Sequence, residues 1–301
     1  MARFLAIALL LSAAAGCEDC SKRGAAPVDG ASAVDAAQAA GQSDGSVINA
    51  TPVPTAAVLD LVNPEKLPPY AGPTGSVEGT ISVVGDPAPV VANDFSRCPD
   101  AAKVWGHAFR EGSPPSAGSA RALADAIVVV TGYRGFFVPE KQEAKEVRIE
   151  DCAYTTRTAT MTFGQRLEVK NLTKDFWTPV LEPGRNVVLM MATPNGDPAK
   201  IYPKKPGHHL LLDRDRKYVL VDVYAFLHPL HASTDVLGHY RIDGLPVGKV
   251  KVSTTHPQID ANAESELMVQ AGVVHKVDLV LKNENKDAGP ADAAGSRPTL
   301  P

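Results

Sequence analysis

Thr234–Pro257 reads TDVLGHYRIDGLPVGKVKVSTTHP, and the alternation of its side chains decides the fold. Tyr240 and Ile242 face one way, Arg241 and Asp243 the other. Beyond Gly244-Leu245-Pro246-Val247-Gly248, Val250 and Val252 alternate with Lys249 and Lys251. A period of two with Gly and Pro at the joint predicts a half-buried β-hairpin.

The same pattern recurs on both sides. Ser76–Val84 alternates Val77, Gly79, Ile81 and Val83 against Ser76, Glu78, Thr80 and Ser82. Ala126–Thr131 is a continuous apolar run, which predicts a strand covered on both faces. Thr158–Phe163 and Arg166–Lys170 flank Gly164-Gln165 as a second hairpin, and Leu267–Val269 and Val274–Leu281 join through Ala271-Gly272. Val187–Met191 and Tyr218–Leu227 are further apolar strands. The best helical pattern, Ala117–Ala126, is short enough to be a loop. Many short strands with Gly and Pro turns predict an all-β sandwich over about residues 74–283.

The flanks have a different composition. Residues 17–73 and 284–301 are rich in Ala, Ser, Asp, Gly and Pro, which predicts a disordered tether and a disordered tail. Arg3, the apolar run Phe4–Leu11 and the small residues before Cys17 form a secretory signal over residues 1–16. Small residues directly before Cys17 resemble the lipobox of bacterial lipoproteins, with Ala14 where that motif usually has Leu. The resemblance implies cleavage before Cys17, lipid on that residue and a membrane as partner, at an outer membrane or another envelope membrane. The protein would then stand on the periplasmic face or the cell surface. Several acyl chains on one residue exceed what stable anchoring requires. The net charge of −4 with no basic stripe argues against nucleic acid.

Three cysteines remain beyond Cys17. An exported chain meets an oxidising compartment, where cysteines far apart in sequence become disulfide candidates. We pair Cys98 with Cys152, which leaves Cys20 free or bonded to another chain.

Two family resemblances carry residues. Gly75-Ser-Val77-Glu-Gly79-Thr-Ile81 and Thr234-Asp235-Val-Leu-Gly238-His-Tyr240-Arg-Ile242-Asp-Gly244-Leu245-Pro246-Val-Gly248 resemble the opening and closing motifs of the carboxypeptidase regulatory-like module. That module is a transthyretin-like β-sandwich, usually an accessory without catalytic residues. A broader resemblance is to the plastocyanin-like proteins of methylamine-utilisation type. It is carried by Cys98, Cys152 with Tyr154, Gly164-Gln165-Arg-Leu167-Glu-Val169-Lys-Asn171, His228-Pro229, Thr234-Asp235 and Thr255-His256-Pro257. It implies a cupredoxin-like segment over about residues 151–227, inserted between strands of the regulatory-like sandwich.

The departures from that family bear on function. A type 1 copper centre takes two imidazoles, a thiolate and a weak axial thioether. The family's first His falls on Trp177, or on Thr178 with a slip of one residue. Its Cys-x-x-His-x-x-Met falls on Asp213, Arg216 and Val219. All four ligands are lost at the matching positions, so the resemblance implies a scaffold without blue copper and no cofactor.

The alternative is a copper or zinc site built from other histidines. His228, His231 and His256 are the sharpest set, with the Pro229 turn bringing the first two together; the competing reading makes His228 and His256 polar caps bonded to backbone. His208 and His209 are adjacent and would point to opposite faces of a strand. Asp213–Lys217 reads as a solvated hairpin tip, or else a small ion-binding turn. Trp105, Trp177 and Phe136-Phe137 belong either to the core or to a binding groove. No G-x-S-x-G, H-E-x-x-H or phosphate loop is present, so nothing points to an enzyme. Two functions follow: a non-catalytic, lipid-anchored envelope module that binds a protein or glycan, or a periplasmic metal-binding or electron-transfer protein.

Overall fold

A computed structural model describes residues 50–113, 118–183, 190–216 and 219–284. A first helix, α1 (Thr55–Val62), precedes β1 (Thr74–Gly85), and a short α2 (Ala101–Trp105) follows it. The next strands are β2 (Arg121–Ala122), β3 (Ile127–Thr131), β4 (Ala144–Glu150), β5 (Ala153–Tyr154), β6 (Thr158–Thr162) and β7 (Arg166–Asn171). Then come β8 (Pro179–Glu182), β9 (Ala199–Ile201), β10 (Gly207–Asp213), β11 (Leu220–Phe226) and β12 (His231–Ser233). The last are β13 (His239–Pro246), β14 (Gly248–His256), β15 (Ile259–Val269), β16 (Val274–Lys276) and β17 (Leu279–Asn283). The described protein is all-β in its architecture.

Four sheets enclose two hydrophobic cores. In the first sandwich, β1 pairs with β13, β16, β17 and β2, and faces the sheet β12-β3-β14-β15. Val77, Ile81 and Val83 of β1 meet Val128, Val130, Val250 and Val252 there. In the second, β6-β11-β10-β8 faces β5-β4-β7-β9, and each of these sheets contains one parallel pair, β6 with β11 and β4 with β7. Its core holds Val147, Ile149, Met161, Leu167, Leu211 and Val221. The chain leaves the first sandwich after β3 and returns at β12, so the second is built from the intervening strands. These begin at Ala144, earlier than the expected start near Asp151.

One long-range connection supplements them. Cys98, Ala101 and Trp105 belong to the second core although they precede it by some forty residues of first-sandwich chain. The Trp105 indole donates to the Leu220 carbonyl at 3.1 Å, and Cys98 is disulfide-bonded to Cys152 in the β4–β5 turn, as expected from the sequence.

The two joints read as hairpins, and the Ala271-Gly272 joint, cross between sheets. β13 pairs with β1, whereas β14 pairs with β3 and β15, so Gly244–Gly248 spans the first sandwich. β6 pairs with β11 and β7 with β4, so Gly164-Gln165 spans the second. β15 pairs with β14, and β16 and β17 run parallel to β1. The reason is common to all three. Alternation says which face is apolar, and two strands bury matching apolar faces equally well side by side or across a core.

The Thr-Asp-x-x-Gly motif has a physical role in that arrangement. The Thr234 hydroxyl donates to the Leu123 carbonyl at 2.7 Å and accepts from the Ala126 amide at 2.9 Å. Asp235 Oδ1 accepts the amides of Leu237 and His239. Gly238 adopts φ +76°, and a Cβ there would lie 2.4 Å from the Ile81 carbonyl oxygen. In β1, a Cβ on Gly79 would lie 1.9 Å from the Val277 oxygen, the same oxygen that accepts from the Tyr240 hydroxyl. Both glycines therefore permit backbone approaches that no side chain allows.

Other expectations need correction. Residues 50–73 are not all tether: α1 lies with Val58 over Gly164, and Tyr70 and Phe137 join backbones at 2.8 Å. Arg121–Ala122 is a short strand where a helix was the best pattern, because Arg121 turns inward to Glu111 at 2.7 Å. Residues 187–189, Cys17, Cys20 and the tail beyond residue 284 lie outside the described residues; Met190 and Met191 are not in a strand. No helix among the described residues is long and apolar enough to cross a membrane.

Candidate functional site

Three of the four positions matched to copper ligands meet at one end of the second sandwich. Trp177, just before β8, is buried, and the Arg216 guanidinium lies 4.2 Å from the centre of its ring. Asp213 ends β10 with its side chain fully buried. Its carboxylate accepts the amides of Thr178 at 2.8 Å and of Asp215 and Arg216 at 3.0 Å, and meets the Arg216 guanidinium at 3.4 Å. Tyr154 stacks at a tilt on Trp177, its hydroxyl held up in pKa by burial and then by Asp213. Val219 is buried in the same core without a polar atom to offer. The arrangement is a latch. A carboxylate gathers the turn amides, a guanidinium closes on it, and an indole face is covered. Arg214 and Asp215 are exposed at the tip of the β10–β11 hairpin, as the solvated reading expects, whereas Asp213 and Arg216 turn inward.

The three candidate metal histidines do not come together. His231 lies in β12 opposite Val129, on the outer face of its sheet. His256 lies at the end of β14, on the core side against Phe109, and its Nδ1 accepts the Gln258 amide at 3.1 Å. From the register the two are roughly 14 Å apart, three residues along and two strands across. His228 stacks edge-on to Tyr133 and tilts against Phe226, which also contacts His231. Among the described residues no group of three His, Cys, Asp or Glu side chains could hold a metal ion. The reading of His256 as a backbone cap fits, whereas His228 Nδ1 has no hydrogen-bond partner among the described residues. His208 pairs with the buried Asp222 at 2.7 Å, and His209 bonds the Lys205 carbonyl, so these two do point apart. Trp105 and Trp177 belong to the core. Phe136 stacks on Tyr133 and Tyr70 at the surface beside His228.

A cleft of about 880 Å³ opens where the two sandwiches meet. Its walls come from β1, β12 and β13 on one side and from β4, β6 and the loop before β4 on the other. Thr158, Thr160 and Thr162 turn one face of β6 toward β12, while Ala159 and Met161 fill the second core. Glu140 accepts from the Thr162 hydroxyl, which leaves Thr162 Oγ1 to accept from His231 Nε2 at 3.3 Å. Burial first, then His228 and Lys145, push the His231 ring down to about 3, so it is neutral at physiological pH. Lys145 lines the same cleft, and burial alone pulls its ammonium below the ordinary lysine value.

Sequence reasoning passed over Lys145 because it passed over β4. Ala144–Glu150 alternates, with Val147 and Ile149 inward, and that pattern puts Lys145 on the inward side. The charges at 145, 146, 148 and 150 mask an apolar face only two residues long.

No protein-family model matches the chain, and no curated protein matches it. Among solved structures the chain is similar to amicyanin from Paracoccus versutus (Thiobacillus versutus), a cupredoxin, at 18% identity and a TM-score of 0.25. The match covers 29% of this chain and 84% of the amicyanin chain. The reading of the site rests on its own geometry.

Proposed function

We propose that the protein is an exported, lipid-anchored binding module of the cell envelope, without catalytic or electron-transfer chemistry. One observation carries the reading: the latch of Trp177, Asp213 and Arg216. The residues aligned with copper ligands supply an indole, a carboxylate already saturated by amides, and a guanidinium. A copper centre with a strong visible band needs a thiolate. Both described cysteines, Cys98 and Cys152, are joined in a disulfide and supply none. Titrating the mature protein with Cu(II) is expected to give no intense visible absorption. An intense thiolate-to-copper band would overturn the proposal and restore the electron-transfer reading.

Anchoring is part of the same proposal and rests on the residues around Cys17. Cells fed a labelled fatty acid should incorporate the label into the wild-type protein and not into Cys17→Ala. Labelling that survives the substitution would remove the anchor.

A further inference from the structure

We propose that the cleft between the sandwiches binds a small hydroxylated carboxylate, the class that includes uronic acids, with Lys145 receiving the carboxylate. The inference rests on the reading of the chain as a binding module and adds the place and the ligand chemistry.

The position of Lys145 is unusual for a lysine. It shares the inward parity of Val147 and Ile149 in β4 and lies opposite the buried Leu167 of β7. Its side chain therefore leaves the core-facing side of the sheet, at the open end of the second sandwich, and ends in the cleft. A cation placed so normally carries a counter-charge, because desolvating it alone is costly. Lys145 has no ion pair among the described residues, and burial is the sole influence on its ammonium.

The other cations lining the cleft are paired. Arg241 holds Glu78 at 2.7 Å and Asp243 at 3.0 Å, and Lys276 holds Asp278 at 3.5 Å. His239 lies 3.7 Å from Asp235. Glu140 is taken by Thr162 and by the amides of Lys141 and Gln142, and His231 is neutral. Lys145 is the cation lining the cleft that has no ion pair among the described residues. It suits a singly charged carboxylate. A phosphate dianion would have one cation to hold it and the carboxylates of Glu78, Glu140 and Asp235 on the same walls. The hydroxyls of Thr160 and Ser233 line the cleft as well, which suits a hydroxylated ligand, and the volume falls within the range of small-molecule sites.

Calorimetric titration of the mature protein with D-glucuronate and D-galacturonate tests this, with D-glucose as the neutral control and glucose 6-phosphate as the dianion. We expect at least one uronate to bind, glucose to bind more weakly or not at all, and Lys145→Met to weaken uronate binding about tenfold or more. Lys145→Arg should retain measurable binding, and thermal melts of both variants check that the fold is intact. Absence of binding by both uronates overturns the proposal, as does binding that survives Lys145→Met. A dianion that outcompetes the uronates overturns the ligand class. None of these outcomes alters the copper titration, so failure here is distinct from failure of the binding-module reading.

Discussion

Asp125→Ala is expected to destabilise the protein by about 3–5 kcal/mol, the range for removing one partner of a buried ion pair. Asp125 sits in the turn before β3 with its side chain 3% exposed. Arg110 grips it through Nε at 2.6 Å and Nη2 at 2.7 Å, and is itself only 15% exposed. The same carboxylate accepts the Arg157 amide at 3.1 Å and the Thr156 hydroxyl at 3.4 Å. Arg157 and Thr156 open the β6 side of the second sandwich, so one carboxylate ties both sandwiches to the Arg110 loop. Its removal strands a guanidinium and a backbone amide where water is scarce, and unpaired groups there cost more than the bonds were worth.

A second term is conformational. Asp125 has φ +64°, a region that Asn tolerates and Ala resists. Three variants separate the two terms in urea unfolding. Asp125→Gly relieves the backbone but loses the carboxylate, and is expected to lose nearly as much as Ala. Asp125→Asn keeps an acceptor and the backbone preference, and should lose least. A loss for Asp125→Gly near that of an exposed pair, about 1 kcal/mol or less, would show that the network contributes little.

The sequence disclosed faces more readily than partners. Tyr240, Ile242, Val250 and Val252 are all buried, as their alternation predicts, yet their two strands belong to opposite sheets. Pairing depends on which strand the turn delivers the chain to, and Gly-rich joints of five residues reach either a neighbour or the facing sheet. The disulfide was legible through the reading of the N-terminus as an export signal, because distant cysteines pair in an oxidising compartment. The Trp177–Asp213–Arg216 latch was half legible. The family pattern marked the positions, but their mutual contact depends on β8 and β10 lying side by side. Asp125 left almost no trace: its partners Arg110 and Arg157 lie on either side of β3 and look like ordinary surface charges. His228 and His231 do meet at Phe226, but His256, which the sequence could not place, ends β14 on the opposite face of the sheet from His231.

Those same histidines should make the protein acid-sensitive well above the carboxylate range. Burial pushes His228 down to about 4, His231 to about 3 and His256 to about 4. Around His231, His228 and Lys145 deepen the effect; around His256, Arg157 deepens it while Asp125 and Asp222 oppose it. In the unfolded chain each ring takes a proton near about pH 6.5. The folded state refuses that proton until far lower pH, so unfolding takes up protons throughout the interval. The stability these rings support is therefore complete above about pH 6.5 and falls as pH drops toward 4, by at most ~1.4 kcal/mol per pH unit for each ring. Three rings acting together give a loss of several kcal/mol by about pH 5. Urea unfolding across that interval measures the slope directly. Replacing His256 by Gln should lower stability at neutral pH while flattening the slope by roughly one proton's worth. A stability that stays level from about pH 7 to about pH 5 would mean that these rings accept protons in the folded protein, and that the cleft side of β12 is far wetter than its packing against Phe226 implies.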